Sequence, residues 1–288
     1  MNEEVPLTFS PAVLEALGRE QPQAVPVLHE LEQGVRKFHT IYSVGLTVAD
    51  DETFAAMGGT LEEGIQLRIT YIQVSLARRL AALLVSLIDH INGVRLLDAA
   101  LSTRACLELA GTLVYYERRI SGLMTAGIST PHQMDRFNDM VRKATRGGRF
   151  DWFRWLSGGA ELRALIAEYA VEGAKPTSPV QGKNVTDFID ALDAAVAAEE
   201  PPPGAIRAVY GLLCDLCHPA VGGYMLYVAV PQTRGRLTFG AHPNPRVASW
   251  FVGSIIGPTA NRLMKHAVRS LNQLTQIAKS VKATGEPH

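Results

Sequence analysis

The chain lacks most of the features that would announce a chemistry. Three cysteines in 288 residues are too few for the disulfide framework of a secreted domain. No sign of charge dominates, because 28 lysines and arginines meet 28 aspartates and glutamates. A chain-wide positive field of the kind that draws nucleic acid is therefore missing. Its most apolar runs, Leu80 to Ile88 and Val247 to Ile256, fall short of the ~20 residues that span a bilayer. Met1 to Ser10 hold two glutamates and no apolar run, which gives the expectation of a cytoplasmic protein with no membrane contact. There is no Gly-x-Gly-x-x-Gly, no P-loop, no Gly-x-Ser-x-Gly elbow and no Glu-x-x-His pair. Those absences remove dinucleotide binding, P-loop chemistry, the hydrolase elbow and a ferritin-like di-iron bundle.

What is present is a folding chain. At 47% hydrophobic and 19% charged it can bury a real core and is too apolar for disorder. Glycine and proline divide it into helical segments. Short helices are expected at 11–17 and 25–38. From Leu61 through Ile65, Ile69, Ile72, Leu76, Leu80, Leu83, Leu87 and Ile91, steps of three and four mark a long helix with one buried face, stopped by Asn92-Gly93. A second long helix should cover 95–124, and its short connection to the first predicts an antiparallel hairpin. A third starts at Thr130-Pro131, a good N-cap and first-turn pair. Further helices are expected at 160–171, 186–198, 203–218 and 246–282, the last kinked or broken at Gly257-Pro258. Residues 224–230 are β-branched and aromatic, then a turn-like stretch and an alternating one follow. The expected fold is all-α: a multi-helix bundle around the central antiparallel hairpin, with one small β-hairpin near 224–239. Residues 1–60 read as an N-terminal helical extension and 61–288 as the main helical domain.

One polar constellation stands out in apolar surroundings. Leu97, Leu101, Arg104, Glu108, Gly111 and Tyr115 share a stripe of the second long helix, with Arg104 and Glu108 at i,i+4. A pair among leucines and alanines is expected near the core, where it needs further partners. Arg207, Tyr210, Cys214 and His218 lie at steps of three and four, with Asp215 beside them and Pro219 ending the helix. Together Arg104, Glu108, Tyr210, Cys214, Asp215 and His218 could fix helix register, bind an anion, shuttle a proton or hold a metal.

At these residues the chain resembles an uncharacterised bacterial helical protein family. Arg104-x3-Glu108, Asn184-Val185 opening a helix, and Tyr210-x2-Leu213-Cys214-x3-His218-Pro219 carry the likeness, which covers about 61–223. The family pattern at the second site resembles Tyr-x-x-Leu-(Ser or Cys)-(Glu or Asp)-x-x-His-Pro, which gives Cys217 the least support. The resemblance implies no established activity. Its helical hairpins are distantly similar to HEPN domains, many of which cleave RNA in defence and toxin systems. Those nucleases carry an arginine, four to six residues, then a histidine. Arg236 to His242 is the match here, and it starts in the expected hairpin.

Three other motifs compete for attention. Cys214-Asp215-Leu216-Cys217-His218 has the letters of a c-type haem attachment site. Helical phase explains the spacing without haem, and a lone Cys-x-x-Cys does not complete a zinc site, so neither a cofactor nor a metal is expected. Arg142, Lys143, Arg146, Arg149, Trp152, Arg154 and Trp155 interleave cations with aromatics, as phosphate contacts and stacking platforms would. The same letters suit aromatics plugging a core with arginines facing water, and that reading ranks above nucleic acid. Met264, Leu271, Leu274 and Val281 form a short heptad-like seam, to be buried either by the chain's own core or in a homodimer. Whether the chain is an enzyme is left open. A helical binding or regulatory protein built around Arg104, Glu108, Tyr210 and His218 ranks first. A HEPN-like RNA-cleaving effector is the alternative, then a metal or haem protein through Cys214, Cys217 and His218.

Overall fold

The computed structural model describes residues 7–42, 60–128, 130–146, 154, 158–171, 183–200, 203–218, 223–224, 226–228, 240 and 242–281. Among them the protein is all-α. The helices are α1 (Pro11–Glu20), α2 (Ala24–Tyr42), α3 (Leu61–Asn92), α4 (Leu96–Thr125) and α5 (Pro131–Arg146). They continue with α6 (Leu162–Val171), α7 (Val185–Ala197), α8 (Ala205–Cys217), α9 (Pro245–Phe251), a π-helical turn (Val252–Ile256) and α10 (Gly257–Ser280).

Local chemistry starts these helices. Ser10 caps α1 ahead of Pro11. Thr60 and Glu63 form a reciprocal capping box for α3, Glu63 N–H donating to the Thr60 hydroxyl at 3.2 Å and Thr60 N–H to the Glu63 carboxylate at 2.8 Å. Thr130 and Gln133 repeat the device at α5. Helix α8 is different: its N-cap, Gly204, has φ 91° and offers no side chain. Asp193 of α7 supplies the cap from outside, accepting from Gly204 N–H at 2.9 Å, Ile206 N–H at 2.9 Å and Arg207 N–H at 3.4 Å.

Two punctuation marks act otherwise than expected. The residue in the left-handed region between α3 and α4 is Val94, with φ 53°, not Gly93; a β-branched residue is strained there. Gly257-Pro258 does not break the last helix. The backbone widens into the π-helical turn one residue earlier and resumes as α10, so the missing proline N–H falls in a first turn that needs none. Gly253 lets that turn lie against the start of α2, since a Cβ there would sit 2.8 Å from Ala24 Cβ.

The chain forms two compact units, each assembled from three separate stretches. The first takes 1–46, 76–114 and 188–270, the second 47–75, 115–187 and 271–288; the division drawn from sequence at residue 60 is a different one. Leu17, Leu28, Leu31 and Phe38 of α1 and α2 are buried in the first unit.

The heptad-like seam has its partners within the chain. Met264, Leu271 and Leu274 are 8%, 1% and 0% exposed, and the Met264 side chain lies over Gly34 of α2. Gln73 of α3 donates to Leu271 O at 2.8 Å and to the Thr275 hydroxyl at 2.9 Å. Those three residues therefore need no second copy to cover them, and Val281 is half-buried beside them.

The expected β-hairpin is not seen among the described residues. Gly223 and Tyr224 are helical, Leu226 and Tyr227 form a turn, and Val228 makes an isolated bridge; residues 229–239 lie outside the described ones. Gly240 N–H donates to Tyr227 O and Asn244 N–H to Leu226 O, which ties the described ends of the segment together. Tyr224 is 60% exposed, so its aromatic character serves no half-buried strand face. Helix α3 is long and apolar enough to cross a membrane by length and composition, with half of its most apolar window buried in the protein. Counting uninterrupted runs missed this, because Arg68, Arg78 and Arg79 interrupt the apolar sequence while the helix as a whole stays apolar.

Candidate functional site

Helix α4 brings Arg104 and Glu108 against Tyr210 of α8, more than a hundred residues away in sequence. Arg104 Nε donates to Glu108 Oε1 at 3.2 Å, and the Tyr210 hydroxyl donates to the same oxygen at 2.9 Å. The Arg104 guanidinium also lies over the Tyr210 ring, 5.5 Å from its centroid. Two donors on one carboxylate oxygen and a cation on the ring of one donor make a closed triad. Two features place it. Gly111 lets the α7 backbone at Phe188 approach α4, since a Cβ there would collide with Phe188 O. The Asp193 cap then fixes where α8 begins.

The triad is not buried as the sequence suggested. Arg104 and Glu108 side chains are 29% and 34% exposed, and Leu97 and Leu101 on the same stripe are 37% and 44% exposed. Leucines next to the pair implied a core position, yet their own stripe faces partly outward.

His218 does not join the triad. It is the exposed C-cap of α8, its N–H donating to Cys214 O at 3.0 Å, and no side-chain hydrogen bond to Glu108 or Arg104 occurs among the described residues. Helical phase explains the substitution of partner. At 100° per residue, position 217 returns to within about 20° of position 210, whereas 218 lies about 80° away. Cys217 is the residue in phase, the one the family pattern supported least. Burial pushes its thiol pKa up, and the Arg104 guanidinium pulls partly the other way. Asp215 is exposed, away from the triad, and Arg207 pairs with Asp190 at 2.6 Å.

Burial, aided by the Glu108 hydrogen bond, pushes Tyr210 up to about 12. All three thiols are free, and Cys106 is fully enclosed, which drives its pKa far above the usual thiol range. Residues 210–217 are continuous helix, as phase predicted. Among the described residues, which include Cys214, Cys217 and His218, no group of three or more His, Cys, Asp or Glu gathers to hold a metal.

The basic and aromatic segment is only partly visible. Arg142 is exposed, Lys143 pairs with Asp139 at 2.6 Å, and Arg154 pairs with Glu168 at 3.2 Å. Arg146 closes α5; Arg149, Trp152 and Trp155 lie outside the described residues, as does Arg236 of the Arg-to-His match. Sequence reasoning missed a cavity of about 470 Å³ in the second unit, walled by α4, α5 and Lys183. Arg118, Arg119 and Arg136 line it, and no motif in the sequence marks them. No protein-family model, curated protein or solved structure matches the chain.

Proposed function

We propose that the chain is a non-catalytic helical binding or regulatory protein of the cytoplasm, in which Arg104, Glu108 and Tyr210 fasten α4 to α8. The observation that carries this reading is the double use of Glu108 Oε1 by Arg104 and Tyr210. Each group satisfies another, and burial with the Glu108 hydrogen bond holds the Tyr210 hydroxyl above its usual pKa, so the triad is suited to holding position and poorly suited to moving protons. The three free thiols fit a reducing compartment.

A ribonuclease built on the same residues would need its histidine within reach of the arginine and tyrosine, and His218 is out of phase for that. The decisive comparison is Glu108→Gln and Tyr210→Phe against His218→Ala. The fastening reading expects the first two to lower the melting temperature by a few degrees, each losing about 1–2 kcal/mol at a partly exposed hydrogen bond. His218→Ala should melt with the wild type. Cleavage of a labelled RNA by the wild-type protein, lost in Tyr210→Phe or His218→Ala, would overturn this reading in favour of an RNA-cleaving effector.

A further inference from the structure

Many of the described surface arginines are matched with carboxylates. Arg19 pairs with Glu15, Arg36 with Glu32, Arg95 with Asp89, Arg207 with Asp190, Arg262 with Glu200 and Arg269 with Glu199. The cavity between α4 and α5 breaks that habit. Arg118, Arg119, Arg136 and Lys183 converge on it, and none is within ion-pair distance of a carboxylate among the described residues. The single carboxylate in the lining, Asp139, is already held by Lys143 at 2.6 Å. In a chain of net charge zero, four unmatched cations on one concavity are a local segregation of charge.

The shape of the cavity follows from the same two helices. On α4, Tyr115, Arg118 or Arg119, Gly122 and Ala126 recur at helical spacing, and the small residues leave the floor open: a Cβ added at Gly122 would meet nothing within 4 Å. On α5, Arg136, Met140 and Lys143 present the facing stripe. The Arg119 guanidinium lies over the Tyr115 ring, 5.1 Å from its centroid, within cation–π range. Tyr116 stands edge-on to Tyr115 at 5.2 Å and is buried, which gives that end of the cavity an aromatic wall. The volume, about 470 Å³, lies in the range of about 300–1,000 Å³ typical of small-molecule sites.

We propose that this cavity binds a compact organic polyanion, a small molecule carrying at least two phosphate or carboxylate groups on a carbon skeleton. Three guanidinium forks and an ammonium match several anionic oxygens at once, and the room over Gly122 exceeds what one inorganic anion would fill. Asp139 is already engaged by Lys143, which leaves Arg118, Arg119 and Arg136 to meet the ligand's anionic groups. A single anionic group would leave most of those cations uncompensated, so affinity rises with ligand charge.

The test is calorimetric titration of the full chain at low and at physiological ionic strength. The probes are fructose 1,6-bisphosphate, citrate, inorganic phosphate and a short single-stranded oligonucleotide. The bisphosphate or the tricarboxylate should bind at least tenfold more tightly than inorganic phosphate. Binding should weaken at least tenfold in Arg136→Glu and in Gly122→Leu, the second of which fills open space on a helix and leaves the melting temperature at or above wild type. Binding that survives both substitutions would overturn the proposal, as would no binding by either organic probe. Tighter binding by the oligonucleotide than by any small probe would overturn it too, by assigning the cations to nucleic acid.

Discussion

Asp193 should prove to be among the most sensitive single positions in the first unit. Its side chain is 8% exposed and its two oxygens take three backbone N–H groups at the start of α8. The Ile206 bond is fully buried, whereas Gly204 and Arg207 are part-buried and can turn to water. Loss of one buried charge-assisted bond is worth about 1.5–3 kcal/mol, and removing an anion from a helix N-terminus adds about 0.3–1 kcal/mol. Asp193→Ala should therefore destabilise by about 2–4 kcal/mol. Asp193→Asn keeps an acceptor for Ile206 but turns an amide toward the Gly204 N–H, and should fall between. At about 2–4 °C per kcal/mol for a chain of this class, the alanine variant melts roughly 4–16 °C lower by circular dichroism. Because a global melt averages over both units, hydrogen exchange at Ile206 is the local readout, and it should accelerate first. An unchanged melting temperature together with unchanged Ile206 exchange in Asp193→Ala would refute the reasoning.

Further outcomes follow from the same geometry. Tyr210 has its pKa raised in the folded state to about 12, so its contribution is complete below its unfolded value near 10 and is lost as pH rises from about 10 to 12. Urea melts across that window should show a loss that Tyr210→Phe abolishes, and identical slopes in both proteins would count against the triad. Gly111→Ala should destabilise even though alanine favours helix by about 1 kcal/mol, because the obstacle is the Phe188 backbone oxygen; a rise in melting temperature would show that α7 can give way. Val94→Gly should stabilise by about 1 kcal/mol by relieving a left-handed β-branched residue, seen as a higher urea midpoint, and a lower midpoint would contradict that strain.

Helices were legible where periodicity and caps agreed. Leu61 to Ile91 announced α3 by spacing, and Thr130-Pro131 announced α5 by its cap. The meeting of Arg104 and Glu108 with Tyr210 was legible too, from the need of two charged groups on an apolar stripe for a partner. What failed was phase over two turns: a motif ending in His-Pro drew attention to His218, while the 100° step points position 217 inward. Asp193 and Gly111 were not legible, because a cap supplied by another helix and a backbone contact at a glycine are tertiary facts with no local pattern. The cationic cavity was hidden for a related reason. Arg118, Arg119 and Arg136 lie on two helices, and the segment 142–155 drew the search for positive charge past them.

The interleaved order of the two units sets a schedule for synthesis. The first unit cannot close until residues 245–270 have emerged, because the π-helical turn and α10 supply the surface that covers α2. Until then Leu28, Leu31 and the exposed halves of α3 and α4 must wait beside the ribosome, with most of the chain already made. Such late, long-range closure slows folding and prolongs the exposure of apolar faces. No single cut in the chain would release either unit whole, because each is assembled from three separate stretches.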